Sequence, residues 1–235
     1  MDVFRRLVFA ALCAGLLSGL VAAAAHQFGT VPLILAAETY EQKTTPAAAD
    51  AHSHGPTAAH QPTAAEWELE NGIERTLYTL AADLLTAIGF ALLLASGLAL
   101  RGGAVTWRDG LLWGLAGFAA FTLAPGIGLP PEVPGTESAP LLTRQLWWLA
   151  TAIVTGAGLA LLAFTRSAIC AALALLLLVL PHLYGAPSPT EHAAAAPAAL
   201  AHRFVVAVTV ASLLFWGVLG AATGYFYRRF AAIQG

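Results

Sequence analysis

Charged residues are scarce in this chain, since Asp, Glu, Lys and Arg together make up 10% of its 235 residues. Soluble domains carry about a quarter of such residues. The low share, with a mean hydropathy of +0.73, therefore excludes an ordinary soluble domain and indicates a membrane protein. The net charge is −2, and the only basic clusters are Arg5-Arg6 and Arg228-Arg229, so nucleic acid is not expected as a partner.

Sulfur and catalytic motifs are also lacking. Cys13 and Cys170 lie in apolar stretches without a CxxC or CxxCH pattern, which argues against structural zinc and covalent haem. The only methionine is Met1, so no thioether ladder for copper(I) exists. The P-loop, HExxH and GxSxG patterns are absent as well. We therefore do not expect an enzyme.

Long apolar runs are what the chain does contain. A spanning helix needs about 20 apolar residues, and six runs of roughly this length predict an all-α integral membrane protein, a bundle of six transmembrane helices in a single membrane domain over residues 1–235. The third and fifth runs are expected to end near Pro125 and Pro181. The six runs are Leu7–Ala25, Leu77–Leu100, Gly110–Pro125, Leu146–Phe164, Ala168–Leu183 and Phe204–Tyr227.

The first run has two interpretations. Arg5-Arg6, the apolar run and the small residues Ala22–Ala25 resemble a cleaved signal peptide, which would leave five spans. A signal core usually has about 7–15 residues, however, and this run is longer. We favour a retained membrane anchor.

The basic residues predict the orientation. With the N-terminus in the cytoplasm, seven arginines lie inside and four basic residues outside, as the positive-inside rule requires. Both termini are then cytoplasmic. A long outer loop is expected over residues 36–73, and its Ala-, Thr-, Pro- and His-rich middle, about residues 44–65, is expected to be disordered.

In this orientation all seven histidines and most acids lie on the outer side. Imidazole and carboxylate are the usual ligands of borderline divalent metals. The asymmetry therefore predicts that the protein meets a divalent cation outside the cell. The candidate metal ligands are Asp83, His182, Glu38, Glu41, Glu74, His26, His52, His54 and His60.

Asp83 is the most specific candidate among the metal ligands, because it is an ionisable residue about two turns inside the second apolar run. A carboxylate in the hydrocarbon costs roughly 2.5 kcal/mol or more and usually faces the bundle interior or a water-filled path. The alternative is a structural ion pair with Arg75, Arg144 or Arg203.

The remaining candidates each have a structural alternative. Glu38 with Glu41, and Glu74 with Glu70, would share helix faces at the mouth of one hairpin, where they attract cations or only form a solvated collar. The histidines of the long loop collect metal or belong to a solvated linker. His26 and His182, at outer helix ends, ligate metal or haem, or only hydrogen-bond a helix end.

Ten stretches of the chain resemble the CbtA family of bacterial cobalt transporter proteins. They cover nearly the whole sequence outside the segment around His52–His60. The stretches are Phe4–Arg6, Glu38–Glu41, Gly72–Thr79, Leu112–Phe118, Leu123–Pro125, Gly128–Gly135, Arg144–Thr151, Leu180–Pro187, Arg203–Val206 and Tyr227–Arg229.

The resemblance implies a cobalt uptake system linked to cobalamin-dependent regulation. It also implies a partner from the same system, a small single-span protein with a histidine-rich motif. We therefore expect a membrane subunit of a divalent metal transporter whose transported substrate is cobalt, with no bound organic cofactor. Two alternatives stay open: a structural subunit that docks a larger assembly, and a redox subunit that binds haem or quinone through His26 and His182.

Overall fold

A computed structural model describes residues 2–44, 72–189 and 194–232, and in these residues the chain is helical without strands. Two of the helical segments are interrupted by a single π-helical turn, at His26–Thr30 and at Ala119–Leu123. The α-helices are α1 (Asp2–Ala25), α2 (Val31–Thr44), α3 (Ile73–Arg101), α4 (Trp107–Phe118), α5 (Ala124–Gly128), α6 (Leu141–Phe164), α7 (Ala168–Tyr184) and α8 (Ala198–Ala232).

The predicted all-α membrane bundle is confirmed. Five of the described helical segments are long and apolar enough to cross a membrane: Val3–Glu41, Ile73–Arg101, Trp107–Gly128, Leu141–Phe164 and Ala198–Ala232. The sixth, α7, has 17 residues. At 1.5 Å per residue it is about 26 Å long, slightly less than the roughly 30 Å of the hydrocarbon core.

Each π-helical turn is followed by a proline at the second position of the next helix, Pro32 in α2 and Pro125 in α5. Proline has no N–H and its ring displaces the carbonyl four residues earlier, which would kink an α-helix. The wider π-turn takes up this misfit and the helix continues. The first segment therefore stays helical to Thr44, and the prediction that residues 36–44 belong to a loop was wrong.

The ends expected near the other two prolines lie within a few residues of them. The third span continues past Pro125 to Gly128, and α7 continues past Pro181 to Tyr184, where Gly185 with φ 89° ends it. Proline at these positions costs one hydrogen bond but does not stop the helix, because both helices are held by packing.

Both ends of the described chain lie at one end of the bundle, which we call the terminal end. There Arg6 hydrogen-bonds the Tyr227 hydroxyl and stacks 4.1 Å from the centre of that ring. Phe9 packs against Phe230. The opposite, or distal, end holds the first turn of α8, the end of α2 and the start of α3.

Glycines let α4 and α8 touch backbone to backbone, since Gly110 with Gly114 and Gly220 with Gly224 have no side chains to separate the two helices. A Cβ atom on Gly220 would lie 2.4 Å from the carbonyl oxygen of Gly110. Gly15 meets the backbone of Ile88 in the same way, which brings α1 against α3. These contacts fix α1, α3, α4 and α8 as the core of the bundle, with α6 and α7 beside it.

Candidate metal site

The centre of the candidate site is a pair formed by His26 and Asp83. His26 opens the π-turn between α1 and α2, and Asp83 is in the third turn of α3, which packs against α1. The Nδ1 atom of His26 lies 3.1 Å from a carboxylate oxygen of Asp83. The Asp83 side chain is 14% exposed, whereas that of His26 is 34% exposed.

The partner of Asp83 differs from the arginines that the sequence offered. Instead of an arginine, the carboxylate meets an imidazole. Arg75 pairs with Glu38 at 3.0 Å, and Arg144 pairs with Glu132 at 3.3 Å. Asp83 therefore pairs with His26 and not with Arg75 or Arg144.

The geometry assigns the ring nitrogens of His26. When Asp83 is ionised, its oxygen can only accept, so Nδ1 carries the proton and donates it. In a neutral ring the lone pair is then on Nε2. A carboxylate that holds the far nitrogen of a histidine in this way is the usual support of a metal-binding imidazole.

The π-turn adds a free oxygen beside His26. The N–H of Val31 bonds the carbonyl of His26, five residues earlier, and is diverted from its α-helical acceptor, the carbonyl of Gln27. The next residue, Pro32, has no N–H to replace it. The Gln27 carbonyl is thus left without a helical donor, one residue from the imidazole.

Acidic residues follow at the distal end. Glu38 and Glu41 are one turn apart in α2, and Glu38 pairs with Arg75 of α3. Glu74 is exposed in the first turn of α3. Glu41 lies beside Gly135 of the segment between α5 and α6, whose Cα hydrogens face its Cβ and Cγ atoms. Glu38, Glu41 and Glu74 therefore lie at the mouth of one hairpin, where Glu38 is paired with Arg75, and Glu70 lies outside the described residues.

His182 belongs to a different part of the molecule. It is in the last turn of α7, which packs mainly against α6, and its ring meets Trp147 edge to face with centroids 6.2 Å apart. His26 and His182 thus have separate partners, Asp83 and Trp147. This arrangement does not present the two imidazoles to one haem.

Within residues 2–44, 72–189 and 194–232, no three His, Cys, Asp or Glu side chains come together to hold a metal ion. The loop histidines His52, His54 and His60 lie outside these residues. The described part of the chain therefore contributes a histidine with its carboxylate, and a separate acidic mouth, but not a closed metal site.

The sequence patterns indicated His26 and Asp83 as independent candidates and did not predict the π-turn beside them. A signal was present for the second π-turn only, because Phe121 precedes Pro125 by four residues inside an apolar run. A proline with no break in hydrophobicity around it indicates a helix that continues in distorted form.

The apolar helices define a multi-pass helical membrane protein. Residues 4–228 match the family described as "Probable cobalt transporter subunit (CbtA)", and the chain belongs to this family. It is one component of a transporter rather than an enzyme, its transported substrate is a metal, and a component of this kind has a partner. No curated protein and no solved structure matches the chain.

Proposed function

We propose that this chain is the membrane subunit of a cobalt uptake transporter, in which it captures the ion at its distal end with His26 as the first ligand inside the bundle. The observation that carries the proposal is the hydrogen bond between His26 Nδ1 and Asp83. An imidazole held by a carboxylate inside an apolar span needs a function, because both groups are costly to bury there.

Asp83 acts on the metal through His26 in this proposal. By accepting the Nδ1 proton it fixes the ring and raises the basicity of Nε2. Its negative charge also offsets part of the charge of the arriving cation. The imidazole and the Gln27 carbonyl give nitrogen and oxygen donors, which suit a borderline cation such as Co²⁺.

The acidic mouth supplies the ion to this pair. Glu38, Glu41 and Glu74 lie at the distal end of the hairpin that contains His26 and Asp83, and their field attracts cations. The loop histidines His52, His54 and His60 concentrate metal near the mouth. His182 is a second entry ligand on the opposite side of the bundle.

The membrane potential is sufficient to drive uptake in this direction. A potential of about 100 mV, inside negative, contributes about 2.3 kcal/mol per charge and so about 4.6 kcal/mol for a dication. That corresponds to a concentration ratio of a few thousand. ATP hydrolysis by a partner is therefore not a thermodynamic requirement.

The direction of transport depends on the orientation in the membrane. We propose a bacterial inner-membrane location with both termini cytoplasmic, and a small single-span, histidine-rich protein as the partner. Reporter fusions at residues 44–65 should then report the periplasm, and fusions at Gly103 and Gly235 the cytoplasm. A cytoplasmic signal from residues 44–65 would reverse the orientation and remove capture from the outside.

Uptake of labelled cobalt tests the function itself. Cells that lack other cobalt uptake routes and produce this chain with its partner should accumulate the label, and His26→Ala should reduce accumulation at equal protein level. Equal uptake by the wild type, the variant and cells without the chain would contradict the proposal.

A further inference from the structure

A second set of polar atoms lies buried on α6. In the described residues four buried side-chain nitrogen or oxygen atoms have no hydrogen-bond partner, and three of them belong to Trp147, Thr151 and Thr155. These residues follow one another at intervals of four and so share one face of α6. Thr151 is 0% exposed and Thr155 is 2% exposed.

The two threonines differ from the other threonines of the bundle. A threonine inside a helix commonly donates its hydroxyl to the carbonyl four residues earlier. Thr209 and Thr223 of α8 do so, each at 2.7 Å. Thr151 and Thr155 do not, although a buried hydroxyl without a partner is costly. In the described residues these two hydroxyls have no partner within the protein, so a ligand from outside their own helix would satisfy them.

The second π-turn provides a matching free oxygen. The N–H of Ala124 bonds the carbonyl of Ala119, five residues earlier, and is diverted from the carbonyl of Ala120. Pro125 has no N–H to replace it. The Ala120 carbonyl, in a residue that is 4% exposed, is therefore left without a helical donor.

Register places this carbonyl at the level of the two hydroxyls. The segment from α4 to α5 and helix α6 run in opposite directions, and a Cβ on Gly128 would touch the Trp147 ring. Moving along both helices from that contact pairs Ala124 with Thr151 and Ala120 with Thr155. A cavity of about 540 Å³ is lined by Ala120 and by Gly156, the neighbour of Thr155 in α6, which agrees with this pairing.

We propose that the Ala120 carbonyl and the hydroxyls of Thr151 and Thr155 form a binding site for a monovalent cation of the sodium class. All three donors are neutral oxygens, and unwound backbone carbonyls are a common sodium ligand in membrane transporters. The acidic residues between α4 and α7 are Asp109, Glu132 and Glu137, which lie near the helix ends. Without a carboxylate a dication would be poorly compensated, because the cost of burying an ion grows with the square of its charge.

Trp147 gives the site its own reporter, because its indole lies one turn from Thr151. The full-length protein in detergent is titrated with NaCl against choline chloride at constant ionic strength, and tryptophan fluorescence is recorded. We expect a saturable response to sodium that disappears in Trp147→Phe. The double variant Thr151→Val with Thr155→Val should weaken the apparent sodium affinity at least tenfold.

Two controls keep the result interpretable. Thr151→Ser with Thr155→Ser retains both hydroxyls and should bind sodium as the wild type does. Thr223→Val removes a buried hydroxyl that already has a partner, and should leave the response unchanged. A double valine variant with wild-type sodium affinity would refute the proposed sodium site, and so would a wild type without a saturable response. In either case the partner of these oxygens would be water. The site does not depend on cobalt capture, because the titration contains no cobalt.

Discussion

Replacing Asp83 with asparagine tests whether its carboxylate supports metal binding or has only a structural role. The amide keeps the shape of the side chain but removes its charge and weakens the hydrogen bond to His26 Nδ1, which is 3.1 Å long in the wild type. Loss of such a supporting partner typically lowers metal affinity about 10- to 100-fold. This equals about 1.4 to 2.7 kcal/mol. We expect Asp83→Asn to lower cobalt uptake by at least tenfold at low metal concentration.

The matched control is Asp109→Asn at the terminal end. Asp109 bonds the backbone N–H of Thr106 and pairs with Arg101, each at 2.9 Å, and so caps α4. Its loss should cost about 1 kcal/mol of stability, as caps do, without an effect on uptake per folded molecule. Uptake of labelled cobalt is measured in cells and divided by folded protein, determined by detergent-resistant fluorescence of a C-terminal fusion. Equal uptake by Asp83→Asn and the wild type would refute the role of the carboxylate.

The other predictions concern the mouth, α7 and the α4–α8 contact. The loop segment is tested by a triple alanine replacement of His52, His54 and His60. That variant should lower uptake less than Asp83→Asn, and mainly when metal is scarce; loss of all uptake would invert this order. For His182→Ala, the proposed entry ligand is removed, so uptake per folded protein should fall; uptake equal to that of the wild type would exclude His182 from the path. Gly220→Ala should destabilise the bundle by about 1 to 3 kcal/mol through overpacking, measured as a lower melting temperature, whereas Gly217→Ala, whose Cβ meets nothing within 4 Å, should melt as the wild type does.

The architecture was predictable from the sequence because membrane burial depends on length and hydropathy alone. The apolar runs predicted the all-α membrane bundle, which is confirmed, whereas the pairing of α4 with α8 through Gly110 and Gly220 appears only in the structure. Helix ends were less predictable. Whether Pro32, Pro125 or Pro181 ends a helix depends on packing around it, which no local pattern records.

The candidate site was predictable residue by residue but not as an arrangement. Asp83 stood out because it is ionisable inside an apolar run. Its pairing with His26, 57 positions earlier, follows from how α1 packs on α3 through Gly15 and Gly19. The separation of His182 from this pair likewise follows from the placement of α7 beside α6, a tertiary feature.

Direct binding of cobalt to the purified protein tests the central claim, that His26 is the metal ligand inside the bundle. Equilibrium dialysis of the full-length protein against Co²⁺ is compared with His26→Gln, which keeps a polar side chain of similar size. We expect saturable binding by the wild type and an affinity at least tenfold lower for the variant at equal folded protein. The same affinity in both proteins would contradict the claim.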